Sequence, residues 1–470
     1  MTKTDIPILT QSRSLNDSAA TATFQVVERV DAVAKRLGFA VDLLPPSSPQ
    51  RRKLLREQRD NQVDDGLLFL ILTGGSERST LKEVRTSGVH SVGLVAHSEF
   101  NSLPAALEIG AYLGQMGVAV QLVQLSKKVL EKEGYDDDAA DFRGLLQAFG
   151  ARRQLRRVRL GVLGDPSPWL LTSQQLDEDR IQEDWGVELV HMDMSKLRTE
   201  IEQTSPTDKE VQSIADEIVR SADIPLIEDL EDVRRGKEDG GGTTTTSCCG
   251  YCGAHGVTPE HVTQAARVYK ALDTMVQQNQ VTAFTIRCFD LLETPVIAGC
   301  LGVSLMNDRG IVAGCEGDVH AAITMLMAQL FVHKASFMAN PVEIDAKTGR
   351  VLLCHCTIAR TLCSSYMLDS HFESDLSVSI TGKLNVTKNT IVTIARVDAM
   401  RNLVFAAEGT VDSTYRQQPN QCRTQVMVQL APTDAQTILE RPLGNHHVLI
   451  VGACATAFHA FAKLFLPTKK

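Results

Sequence analysis

Three segments in the second half of the chain carry side chains suited to metal or proton-transfer chemistry. In Gly310–Phe331 (GIVAGCEGDVHAAITMLMAQLF) a short apolar run ends at Glu316, Asp318 follows two residues later, and an apolar helix is expected over Ala321–Val332. A carboxylate at a helix N-terminus is held ionised by the macrodipole. It then suits a divalent cation or a general base, and it is also an ordinary first-turn acid. His355 lies within Val351–Ile358 (VLLCHCTI), an expected strand, where a histidine serves as a hydrogen-bonded core group or as a ligand. Side-chain alternation turns Cys354 and Cys356 away from His355, which argues against a joint Cys–His metal cluster. Gly444-Asn445-His446-His447 leads into the apolar run Val448–Val451. Adjacent histidines on a strand point to opposite faces, so at most one of His446 and His447 reaches a given site. Asn340 closes the apolar run Ala335–Ala339, with Glu343 and Asp345 nearby as strand-end residues.

Other segments carry less. Cys248-Cys249-Gly250-Tyr251-Cys252 with His255 offers one ligand pair and a histidine, whereas a structural zinc site wants two separated pairs. It follows directly on a Gly/Thr-rich tract at 236–247 and reads as a surface loop. Thr73-Gly74-Gly75-Ser76 follows a strand and marks a tight polar turn of the kind that lines crevices in α/β sheets. No P-loop, dinucleotide glycine fingerprint or G-x-S-x-G elbow occurs.

The elements that must position these residues follow an α/β rhythm. Strands are expected at Ile6–Leu9, Ala40–Leu44, Leu67–Leu72, Val92–Val95 and Ala119–Leu125, with helices at Ala19–Leu37, Pro104–Met116 and Asp141–Leu155. Strands spaced by such helices imply parallel sheets. Val158–Leu163, Val187–Met192 and the helix Lys209–Arg220 continue the pattern. After the Gly/Thr tract, Thr258 as N-cap and Pro259 at the first helical position open a helix to Gln278. Leu376–Val386, Thr390–Val397 and Leu403–Val411 alternate, as an antiparallel sheet with one solvated face does. The expected architecture is two Rossmann-like α/β domains, 1–155 and 156–280, followed by an α+β domain over 281–470 that carries the candidate site.

The bulk composition is that of an ordinary globular chain, with 43% hydrophobic and 22% charged residues. A length of 470 residues exceeds one core, and a net charge of −9 argues against nucleic acid as partner. No unbroken apolar stretch of transmembrane length occurs, and Met1–Asp5 does not open a secretory signal. Eleven cysteines, mostly at apolar positions, read as reduced and buried in a cytoplasmic protein.

Taken in order, LILTGGSE (Leu70–Glu77), HSEFNSLPAALEIG (His97–Gly110), GDPSPWLL (Gly164–Leu171), FTIRCFDLL (Phe284–Leu292), NDRGIVAGCEGD (Asn307–Asp318), FMANP (Phe337–Pro341), HCTIA (His355–Ala359), CRTQ (Cys422–Gln425) and GNHHVLIVG (Gly444–Gly452) resemble the L-fucose/L-arabinose isomerase family, most closely its fucose-isomerase-like branch. The resemblance covers most of the chain. It implies a homo-oligomer, trimer or hexamer, that binds a divalent cation, usually Mn²⁺, and interconverts an aldose and a ketose through an enediol. By that resemblance Glu316 is the first metal-binding glutamate, His355 a ligand, and His447 or His446 the terminal histidine ligand. Arg287 is a pocket residue suited to a hydroxyl or an anionic group. Asn340 stands where sugar isomerases carry their second acid. It can offer a carbonyl oxygen to a hard cation but cannot act as acid or base. Glu343, Asp345 or Asp318 would then supply that role, or the chemistry would be that of an epimerase or lyase, or of a sugar-binding protein without activity.

Overall fold

A computed structural model of the chain describes residues 6–13, 17–60, 64–131, 139–223, 257–293, 297–414, 418 and 420–467. The tract at 236–247 and the Cys248–His255 cluster lie outside them. The described residues form two compact units.

The first unit holds residues 1–157, 182–186 and 454–470. Its strands β1 (Ile6–Gln11), β2 (Val41–Leu44), β3 (Leu67–Ile71), β4 (Ser91–His97) and β5 (Ala119–Leu125) form one parallel sheet in the order β2-β1-β3-β4-β5. Strands β3 and β4 are buried at every position, as expected for central strands covered on both faces. The last helix, Ala455–Phe465, packs on the helix Ala140–Leu155, with Phe149 and Phe465 edge to face at 5.3 Å. The contact is close because position 144 is glycine: a Cβ there would stand 2.7 Å from Thr456 Oγ1.

The second unit holds residues 158–181 and 187–453. It opens with a second parallel sheet of β6 (Arg159–Leu163), β7 (Glu188–Met192), β8 (Ala283–Ile286) and β9 (Val312–Cys315), in the order β7-β6-β8-β9. The helix Pro259–Gln278 begins as expected: Thr258 Oγ1 accepts from the His261 amide and His261 Nδ1 accepts from the Thr258 amide, a reciprocal cap.

The remaining strands are antiparallel. β10 (Phe337–Asp345), β11 (Arg350–His355), β14 (Ile391–Asp398), β15 (Leu403–Ser413), β16 (Thr424–Leu430) and β17 (His447–Val451) close into a barrel, ordered β10-β11-β16-β15-β14-β17. β12 (Cys363–Asp369) and β13 (Ser379–Leu384) form a separate pair. Two sequence expectations are corrected here. The strand expected from Leu376 starts only at Ser379, because Asp375 and Ser377 adopt left-handed backbone at φ 53° and 57°. The sheet is also not solvated along one face throughout. β14 is buried at seven of its eight positions, since the helix Val319–Val332 packs across its outer side.

That helix explains its own composition. It lies between β8–β9 of the parallel sheet and β14 and β17 of the barrel, so it is buried all round, and an apolar face on every side is what such a position needs. The mixed α/β class with parallel sheets followed by an antiparallel region is therefore the observed one. Six of the eight described cysteines are buried, and all eight are free thiols.

Phe337 is fully buried in the core shared by the barrel strands and the helices beside them. Phe337→Ala is expected to destabilise the second unit by about 3–5 kcal/mol. The check is the shift of the urea midpoint for the full chain; an unchanged midpoint would mean that this core does not hold the barrel.

Candidate metal centre

Glu316 immediately follows β9, at the carboxyl end of the second parallel sheet. Its backbone is left-handed at φ 60°, and Gly317 follows at 72°. Glycine is required at 317, where a Cβ would stand 2.7 Å from Pro166 Cα. The turn is pinned by Ser167 N–H donating to the Glu316 carbonyl (2.8 Å) and Gly317 N–H donating to the Ile286 carbonyl (3.0 Å). A left-handed glutamate is a strained choice, of the kind that collects at functional sites.

The turn aims Glu316 at two histidines from the barrel. Glu316 Oε1 is 3.3 Å from His446 Nε2 and 3.8 Å from His355 Nε2, and all three side chains are buried. Glu316 Oε2 accepts a hydrogen bond from Trp169 Nε1 at 2.5 Å. Among the described residues this is the group of three or more His, Cys, Asp and Glu side chains whose donor atoms lie within 4.8 Å of one another. Donors about 2.0–2.2 Å from a shared ion stand roughly 3–3.5 Å apart, so the spacing fits a small divalent cation. His446 Nε2 is fully buried and makes no well-aligned hydrogen bond, its nearest acceptor being Glu316 Oε1 at 3.3 Å. Two imidazoles and a carboxylate favour a first-row transition ion over calcium.

Asp318 stands behind His446. Its Oδ1 caps the helix Val319–Val332 by accepting from Ala321 N–H at 2.9 Å. Its Oδ2 accepts from His446 Nδ1 at 2.9 Å and from Arg396 Nη1 at 2.8 Å, and all three groups are fully buried. A carboxylate on Nδ1 fixes the tautomer and leaves Nε2 as the free donor. Burial alone would push both carboxyls up. The neighbouring histidines outweigh it at Glu316, and Arg396 with His446 outweighs it at Asp318, so both lie far below the carboxylate range. Burial lowers the His446 pKa, but the two flanking carboxylates outweigh it and lift it to about 9. Without metal the imidazole thus keeps a proton where an ion would sit. His355 Nδ1 contacts Thr357 Oγ1 at 2.9 Å, which turns its Nε2 toward Glu316.

The other expected site residues fall differently. His447 pairs with Ala339 across β10–β17 and faces the opposite side from His446, with its ring 5.9 Å from Phe405. Burial and the Arg396 charge push its pKa down to about 4. Asn340 pairs with Cys354, one residue before His355, and the next step of the β10–β17 register would set it opposite His446. Its Oδ1 is buried without a hydrogen-bond partner. Arg287 follows β8 as Glu316 follows β9, and its Nε contacts Asp290 Oδ1 at 2.8 Å. Cys354 and Cys356 pack with other groups and take no part in the metal-ligating cluster.

Sequence reasoning passed over Arg396, Trp169 and the clasp of Asp318 on His446. Arg396 had a signal: it is the one charge within the apolar run Ile391–Val397, and a charge buried in a strand needs a partner.

No protein-family profile matches the chain. Among curated proteins it is similar to the sulfoquinovose isomerase of Clostridium sp. (strain MSTE9), at 32% identity over 97 residues, 20% of this chain and 21% of that protein. It is also similar to the sulfoquinovose isomerase of Priestia megaterium (strain ATCC 12872 / QMB1551), at 24% identity over 228 residues, 47% of this chain and 44% of that protein. The chain therefore spans less than half the length of the curated relatives it matches.

Asp318→Asn keeps the shape of the clasp and removes its charge. It is expected to weaken binding of a divalent cation at this group about 10–100-fold, the usual cost of losing such an outer partner. Calorimetric titration checks this; wild-type affinity in the variant would show that Asp318 serves the helix cap alone.

Proposed function

We propose that this chain is a metal-dependent aldose–ketose isomerase acting on a sugar, with a sulfonated hexose such as sulfoquinovose as the first substrate to test. The observation that carries the reading is the buried Glu316–His355–His446 group with Asp318 clasping His446. The name shared by the curated relatives points the same way. The reading includes Mn²⁺ as the ion, a homo-oligomer and a cytoplasmic setting. Among the described residues no helix is long and apolar enough to cross a membrane.

A hydrogen beside a sugar carbonyl is barely acidic in water, and a bound divalent cation supplies Lewis-acid stabilisation of the developing oxyanion. The protein's part is to hold Glu316, His355 and His446 rigidly with one nitrogen of each imidazole turned inward. Asn340 offers its unpartnered carbonyl oxygen to the ion or to a substrate hydroxyl. Arg287, partly exposed at the same carboxyl end of the parallel sheet, suits an anionic substituent such as a sulfonate. Trp169 and Phe289, edge to face at 4.9 Å, give an apolar wall for the carbon side of a sugar ring.

An epimerase on the same framework is the second reading, favoured by an amide at position 340 where the isomerase resemblance expects an acid. Product analysis separates the two.

Protein dialysed against chelator should lose turnover and regain it with Mn²⁺. Glu316→Gln should lose both stoichiometric metal and at least about 100-fold in turnover. Bound metal is measured alongside interconversion of sulfoquinovose and a panel of aldoses and ketoses. Wild-type metal content and turnover in Glu316→Gln would sink the reading.

A further inference from the structure

Isomerisation needs a group that carries a hydrogen between neighbouring sugar carbons, and the carboxylates closest to the candidate metal centre are already committed. Glu316 turns one oxygen to the histidines and the other to Trp169. Asp318 is taken by Arg396, His446 and the helix amide. Glu343 and Asp345 run along β10 away from Asn340. Glu343 accepts from Gln418 Nε2 at 2.9 Å, and Asp345 is tied into the β10–β11 turn by Lys347 N–H (3.0 Å) and Thr348 Oγ1 (2.7 Å).

One carboxyl has another position. Residues 370–378 join β12 to β13, and this loop is built against the site. The His371 ring meets Phe289 edge-on at 5.5 Å, Phe289 meets Trp169 at 4.9 Å, and Trp169 donates to Glu316. Buried Arg423 grips the loop. Its Nε donates to the Ser370 carbonyl and its Nη2 to Ser370 Oγ, both at 2.8 Å, and Nη2 reaches Asp375 Oδ1 at 3.3 Å. Its guanidinium also lies 5.5 Å from the centre of the Phe372 ring. The next residue, Thr424, pairs with His355, so the clamp is anchored beside a member of the metal-ligating group. The left-handed Asp375 and Ser377 show a loop held in a strained conformation. Glu373 lies in this loop, partly exposed, with no hydrogen bond or ion pair to another described residue. Partial burial and the charge of Glu316 raise its carboxyl above the ordinary value while His355 pulls it back, the direction that suits a group which must both take and give a proton.

We propose that Glu373 is the catalytic proton carrier of this site and that Arg423 is the positioning residue holding its loop beside Glu316, His355 and His446. The assignment rests on the isomerase reading. As a carboxylate, Glu373 takes the proton from C2 of the open-chain aldose. The C–H electron pair becomes the C1=C2 bond and the carbonyl pair moves onto O1. The protonated Glu373 returns the hydrogen to C1, while the O2 proton passes to O1 and C2=O forms. The carboxyl ends as it began, and no oxidant or reductant is consumed.

The test uses the full chain loaded with Mn²⁺, comparing wild type with Glu373→Gln, Arg423→Lys and Glu343→Gln. The readouts are bound metal, kcat, KM and hydrogen exchange at C2 of sulfoquinovose and the aldose panel in D₂O. Glu373→Gln should bind Mn²⁺ normally while kcat and exchange fall about 100-fold or more, the usual share of a general base. Arg423→Lys should lower kcat about 10-fold with KM nearly unchanged, because lysine lacks the planar fork that holds two acceptors. Glu343→Gln should match wild type. An active wild type with an equally active Glu373→Gln overturns the assignment and leaves the isomerase reading standing. A wild type that neither turns over nor exchanges any of these sugars overturns both.

Discussion

The arrangement of the second unit turns on one buried carboxylate. Asp318 has no access to water, and an ionised group in that position is tolerated only when it is fully paired. Its two oxygens meet four partners: the first turn of the helix Val319–Val332, the guanidinium of Arg396 on β14, His446 ahead of β17 and, at 3.5 Å, the Ser173 hydroxyl. The Arg396 guanidinium is itself fully buried and has its ion pair from Asp318. The contact therefore joins the parallel sheet to the barrel and at the same time sets which nitrogen of His446 faces Glu316.

Several local features follow from that constraint. The helix between sheet and barrel must be apolar all round, and the chain must turn sharply after β9 to place one carboxylate at the helix cap and another toward the histidines. The turn is made by two left-handed residues, Glu316 and Gly317. Only glycine fits the second, because the 165–167 segment crosses directly over it. The same segment leads to Trp169, whose indole occupies the Glu316 oxygen that does not face the histidines. Position 444 is glycine for a related reason: a Cβ there would strike the Arg396 guanidinium at 2.6 Å.

The barrel sends the adjacent histidines to different surroundings. On β17 the register puts His447 opposite Ala339, so its neighbour His446 must face the other way. Asn340 lies on β10, between β11 and β17, where it pairs with Cys354 and its Oδ1 is buried without a hydrogen-bond partner. An amide can coordinate or hydrogen-bond without changing charge. Under the proposed isomerase reading, an amide at 340 leaves the proton carrier to another segment, and the clamped loop after β12 holds Glu373, which has no hydrogen bond or ion pair to another described residue.

Much of this was legible in the chain. The spacing of apolar runs marked the first parallel sheet and two strands of the second, because a buried strand followed by a helix leaves a strong local periodicity, whereas β8 and β9 were assigned to the α+β domain and instead complete the second sheet. The E-G-D turn, His355 and the His446–His447 pair stood out because polar groups inside apolar runs need a reason. What could not be read was closure of the antiparallel strands into a barrel, since alternation is the same in an open sheet and a closed one. The choice between His446 and His447 depended on strand register. The clasp of Arg396 on Asp318 depended on two residues 78 positions apart meeting in the core. Local sequence sets periodicity, caps and turns through near neighbours; which distant side chains share one buried space is decided only when sheet, helix and barrel pack together.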